Sequence, residues 1–200
     1  RMGLGLGMWM VLMAVFALAV SLREPGMISF APDGADFDWG RFWVYLPVIL
    51  ILIPIQASFE EVAIRGQLLQ VWCFRAGFRT LMPLLFSSLL FALLHSYNPE
   101  SDQYGWGTMM FLYFSMGLIL GIFTILEDGL ELSIGIHVGN NLFAALFLGF
   151  DDSTLDTPTM LDWLSIIGGA VAIFAILYGR NPGILRKILL NQSESVSEGE

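Results

Sequence analysis

Long apolar runs separated by short polar connectors set the pattern of this chain. From Met2 to Val20 every residue is apolar or glycine, close to the roughly 20 positions a helix needs to cross a hydrocarbon layer ~30 Å thick. The run predicts a first membrane span. It is expected to be retained, because a signal peptide has a shorter apolar stretch and a small-x-small cleavage site, and none precedes Arg23. A turn-rich acidic connector, 24 to 40, follows. From Phe42 the chain is apolar to Phe59 and then carries Glu60, Glu61, Arg65, Gln67 and Gln70 among Leu68, Leu69, Val71, Trp72 and Phe74. With no paired proline or glycine break before Gly77, one helix longer than the bilayer is thick is predicted, which must tilt or protrude. Arg75, Gly77 and Arg79 form a turn, and Leu81 to His95 is the third span. Ser96 to Gly107 is a polar connector; Thr108 to Leu126, Leu130 to Phe150 and Leu161 to Tyr178 are the fourth, fifth and sixth spans. The predicted fold is all-α, a polytopic transmembrane helix bundle of about six spans in a single domain over residues 1–178. Residues 179–200 form a tail too polar to pack, expected to be disordered and cytoplasmic.

Composition supports this reading. Of the 200 residues 56% are hydrophobic and 14% charged, and mean hydropathy is +0.71, against about 25% charged in soluble domains. The expectation is a multi-pass integral membrane protein with lipid as its surroundings. The net charge of -9 comes from acids in the connectors and the tail, which argues against a nucleic-acid partner. Six spans put Arg1, Arg75, Arg79, Arg180, Arg186 and Lys187 on one side and only Arg23 and Arg41 on the other. The positive-inside rule then predicts both termini in the cytoplasm. Arg1 at the start leaves room for helices upstream. The lone Cys73 has no second thiol for a disulfide or redox pair.

Ionisable groups inside an apolar span are costly and mark functional sites. Glu60, Glu61 and Arg65 are three such groups within six residues, and both histidines, His95 and His137, also fall in apolar helical runs. Glu60 lies 17 residues before Gly77 and His95 18 after it, so in an antiparallel hairpin they reach the same depth. Glu61 and Arg65 are four apart and share a helix face, leaving Glu60 to face a cavity. His137 and Asn141 have the same spacing, and Gly139 between them admits a neighbouring helix or a substrate backbone. Phe91, one turn before His95, packs against its imidazole. Each group also has a plain structural explanation: the charges can snorkel to an interface, His137 and Asn141 can glue helices, and Phe91 with His95 can be core. Together they supply a carboxylate base, a histidine at its depth and a pair of donors, the parts for hydrolysing an amide with an activated water. One conflict stands: His137 lies ~15 Å past the Glu127–Asp128 turn, whereas Glu60 and His95 lie ~25 Å from theirs. The groups meet if the 60–79 hairpin projects outward or if the fifth helix starts deep.

The succession Glu60-Glu61-x-x-x-Arg65-Gly66, Phe91-x-x-x-His95 and His137-x-x-x-Asn141 resembles the three motifs of the CPBP family. These are intramembrane proteases that include the type II CAAX prenyl endopeptidases and bacteriocin-processing or self-immunity proteins. The resemblance spans about 55–146. It implies that Glu60 with His95 activates water, that His137 and Asn141 form the oxyanion site, and that Glu61 and Arg65 support Glu60. It also implies a peptide or protein substrate, with or without a lipid anchor, and no cofactor. Two rival readings keep the residues and change the role: a zinc site built from Glu60, His95 and His137, or a non-catalytic binding or immunity protein or proton-coupled carrier. The inverted repeats of a carrier are absent, and Cys73 has no histidine near it to make it a nucleophile.

Overall fold

The computed structural model describes residues 1–23, 39–73, 81–148 and 160–179, and among these every regular element is helical. Helix α1 is Met2–Arg23, and α2 is Trp39–Glu61, continuing directly as π-helical turns over Val62–Cys73. After α3 (Leu81–Leu94) come a short α4 (Pro99–Tyr104), α5 (Trp106–Glu127), α6 (Glu131–Phe143) with π-helical turns over Ala144–Leu148, and α7 (Met160–Tyr178). All six expected helices are present. The addition is α4 in the polar connector, where Pro99 occupies the first turn, a position that tolerates the missing N–H. The chain is a membrane protein with an all-helical fold. Three stretches are long and apolar enough to cross a bilayer: Met2–Ala19, Trp39–Leu69 and Trp106–Glu127. Leu81–Leu94 and Ile167–Tyr178 are apolar but shorter. The expected 75–79 turn, the acidic connectors over 24–38 and 149–159, and the tail from Arg180 lie outside the described residues, and with them most of the basic residues that set orientation.

Small residues bring the helices into backbone contact. A Cβ on Gly135 would lie 2.1 Å from the Met2 carbonyl oxygen, and one on Gly139 3.3 Å from that of Leu6. Helices α1 and α6 therefore run parallel and approach closely at these two levels. Gly117 does the same for α5 against α3, where an added Cβ would meet the Ser88 Cα at 2.9 Å. Helices α5 and α6 are joined by a tight turn with Asp128 in the left-handed region (φ 53°). Ser133 Oγ donates to the Leu120 carbonyl at 2.8 Å and accepts from Thr124 Oγ1 at 2.8 Å. Around this frame Trp9, Phe91, Leu120, Phe123, Leu132, Ile136 and Ile173 form the main core. A smaller cluster of Ala57, Val138 and Leu142 seats α2 on α6. At one end Glu127 holds Arg1 at 3.0 Å and accepts a hydrogen bond from Tyr178, tying α1, α5 and α7 together.

The depth conflict is resolved by the α5–α6 turn. A Cβ on Gly66 would sit 3.1 Å from Leu130 Cδ1, so this turn lies beside the extension of α2 rather than at its far end. Six residues back from Gly66 is Glu60, and seven on from Leu130 is His137. The extension runs on past the turn to Cys73.

Candidate active site

Three helices converge on Glu60. Its Oε2 lies 3.6 Å from His95 Nε2 at the end of α3 and 3.7 Å from His137 Nε2 on α6. Both separations are too long for a direct hydrogen bond. That oxygen is buried with no hydrogen-bond partner, whereas Oε1 accepts from Gln56 Nε2 at 3.0 Å. The two carboxylate oxygens are therefore unlike: one is satisfied, and one is bare and faces two imidazoles.

Each imidazole is oriented through its other nitrogen. His95 Nδ1 donates to the Phe91 carbonyl at 2.7 Å; a carbonyl only accepts, so Nδ1 carries the hydrogen and Nε2 is left for Glu60. The His95 ring lies between Phe91, 4.3 Å between centroids, and Tyr113, 4.8 Å. The Tyr113 hydroxyl accepts from Asn98 Nδ2 at 3.1 Å. His137 is 3% exposed, and its Nδ1 lies 2.8 Å from Glu61 Oε1. The same oxygen accepts from Arg65 Nη1 at 2.8 Å, with both Glu61 and Arg65 fully buried. A carboxylate paired with guanidinium is an acceptor, so His137 Nδ1 donates to it. Arg65 reaches on to the Gly117 carbonyl at 3.1 Å, and its guanidinium carbon lies 4.5 Å over the Phe91 ring. Glu60, His137, Glu61 and Arg65 follow one another as acid, imidazole, acid and base, and the Glu61–Arg65 pairing offsets the cost of burying either charge alone.

The expected residues thus divide. Glu60, His95 and His137 meet around one oxygen; Glu61 and Arg65 pair as their spacing predicts; Phe91 packs on His95 and also edges His137 at 5.6 Å. Glu61 bonds His137 and Arg65 rather than Glu60. Asn141 lies one turn beyond His137 on α6 and is part-buried, and its Oδ1 accepts from Asn140 Nδ2 at 3.4 Å. Gly139 admits α1, one of the two neighbours expected for it. No group of three His, Cys, Asp or Glu among the described residues is spaced to hold a metal ion. Sequence reasoning missed Gln56, Tyr113 and the Gly117 carbonyl. Gln56 carried a signal, being four residues before Glu60 on the same helix face; Tyr113 and Gly117 are reached only through tertiary packing.

The uncharacterized protein YyaK of Bacillus subtilis (strain 168) is 32% identical over an alignment covering 84% of this chain and 52% of that protein. The chain spans about half the length of this curated relative. No solved structure matches it. Residues 40–143 match the family described as type II CAAX prenyl endopeptidase Rce1-like, a stretch that takes in all three motifs and just over half of the sequence. With Glu60, His95, His137 and Asn141 all inside the matched region, the chain belongs to the Rce1-like family of type II CAAX prenyl endopeptidases.

Proposed function

We propose that this protein is an intramembrane endopeptidase that hydrolyses a peptide bond with a water activated by Glu60. The observation that carries the reading is the bare, buried Glu60 Oε2 facing two Nε2 atoms at 3.6 and 3.7 Å, one carboxylate oxygen without a partner beside two imidazole nitrogens. The water gives one hydrogen to Glu60 Oε2 and the other to the lone pair of His95 Nε2, which leaves a lone pair of the water oxygen pointing at the substrate carbonyl. As the oxygen attacks the carbonyl carbon, Glu60 takes the proton as general base. The developing oxyanion accepts from protonated His137 Nε2 and from the Asn141 amide, and Glu61 with Arg65 holds the imidazolium in place. Glu60 then passes its proton to the leaving amine as the C–N bond breaks. No metal ion takes part in this sequence of steps.

The substrate is a peptide or protein segment reached from the membrane, and the family description makes a prenylated CAAX C-terminus the first to try. Both termini lie in the cytoplasm by the charge distribution, and residues 1–178 act as one membrane domain. Terminal proteomics of membranes carrying the active protein or its Glu60→Ala variant tests the reading. New C-termini and N-termini that depend on Glu60 are expected. Identical sets of termini in a sensitive comparison would contradict it and favour a binding or immunity protein.

A further inference from the structure

Helix α2 contains one carboxamide side chain, Gln56, in an otherwise strongly apolar run from Phe42 to Phe59. A polar side chain in a membrane helix is retained where it has a partner, and that of Gln56 is Glu60 Oε1, one turn on, at 3.0 Å. The consequence lies on the other oxygen. A glutamate carboxyl turns about its last torsion in a broad, roughly two-fold well, so without a fixed partner its two oxygens are interchangeable. With Oε1 taken by Gln56, Oε2 alone is left bare, and Oε2 is the oxygen that both His95 Nε2 and His137 Nε2 face. Neither histidine can make this selection, since each stands beyond hydrogen-bond range of the carboxylate.

From this we infer that Gln56 is a positioning residue: its amide fixes the plane of the Glu60 carboxylate and so decides which oxygen accepts the proton of the attacking water. The inference rests on the proposed function for its catalytic meaning and on the Gln56–Glu60 bond for its structural content. The two can be tested apart. Gln56 is exposed, so Gln56→Met, which keeps the length of the chain and removes the donor, is compatible with an apolar helix surface. Gln56→Glu keeps the shape and offers no donor in its ionised form.

The first measurement is isotope-edited infrared spectroscopy of full-length protein in lipid, with glutamate labelled and the Glu60 carboxylate band taken as the one lost in Glu60→Gln. A shift of that band in Gln56→Met is expected, and an unchanged band would overturn the inference whatever the activity. The second is turnover of a fluorogenic farnesylated CAAX peptide. In Gln56→Met a fall in kcat of about tenfold is expected, the size of one ordinary hydrogen bond, with KM unchanged. Gln56→Glu should fall at least as far. Equal turnover by wild type and both variants would overturn the positioning role. If the wild type does not cleave the peptide, the choice of substrate fails, and the infrared band alone decides for or against Gln56.

Discussion

Asn141 separates a catalytic from a structural use of its amide. If it donates to the oxyanion, Asn141→Ala lowers kcat by roughly 10² to 10³ and leaves KM nearly unchanged, because the bond strengthens in the transition state. If it is an interhelical strut, the loss appears as ~0.6 kcal/mol of stability with turnover of the folded protein intact. Kinetics and thermal unfolding on the same preparation distinguish the two. Arg65 makes a different prediction. Its guanidinium is fully buried against Glu61, so Arg65→Met leaves the buried Glu61 carboxylate with only its bond to His137 Nδ1 and should cost up to about 3 to 5 kcal/mol. The double variant Arg65→Met with Glu61→Gln should regain most of that stability but not the activity, since His137 Nδ1 then faces a neutral amide in place of a carboxylate. Recovery of activity in the double variant would show that Glu61 serves only as the partner of Arg65. Several of these contacts are legible in the sequence because four-residue spacing on a helix is local: Glu61 with Arg65, Phe91 with His95, and Gln56 with Glu60. The bond from His137 Nδ1 to Glu61 joins residues 76 apart, and no periodicity encodes it.

Helix packing fixes those contacts, and it depends on where glycines lie. An added Cβ at Gly135 would collide with the Met2 backbone, whereas at Gly139 it would press on the Leu6 carbonyl and Trp9 Cβ at 3.3 Å. Gly135→Val should therefore part α1 from α6 and markedly reduce folded protein in detergent. Gly139→Ala should cost less, within the ~1 to 3 kcal/mol of ordinary overpacking. Similar losses for both would mean that α1 and α6 are held by their apolar side chains instead. The helices themselves are readable from the apolar runs: α1, α5 and α7 fall within a few residues of the expected bounds. The π-helical turns after Glu61 and Phe143 are not, since i→i+5 pairing leaves no mark in hydrophobic periodicity, although such turns recur at functional sites. Helix α4 was hidden for a related reason: Pro99-Glu-Ser-Asp-Gln-Tyr104 has the composition of a loop.

On the scale of the whole molecule, an apolar bundle surrounds a short line of linked side chains from Glu60 through His137 and Glu61 to Arg65. The family and the all-helical membrane fold were both legible, because three motifs in order on successive apolar helices carry them. The agreement in depth between Glu60 and His137 was not, since it depends on the α5–α6 turn lying beside Gly66. A zinc-dependent reaction would use the same three residues, so the purified protein should keep its activity through chelation and contain no stoichiometric zinc; loss on chelation and return with zinc would move the water onto a metal. The central claim is that the bare oxygen of Glu60 takes a proton from the attacking water. Its most direct test is the single-turnover rate of purified Glu60→Gln in lipid, beside the wild type, on a substrate found by terminal proteomics. The substitution keeps the size of the side chain and removes the base. Substrate binding close to that of the wild type with cleavage lowered by at least 10² is expected, and cleavage at the wild-type rate would contradict the account.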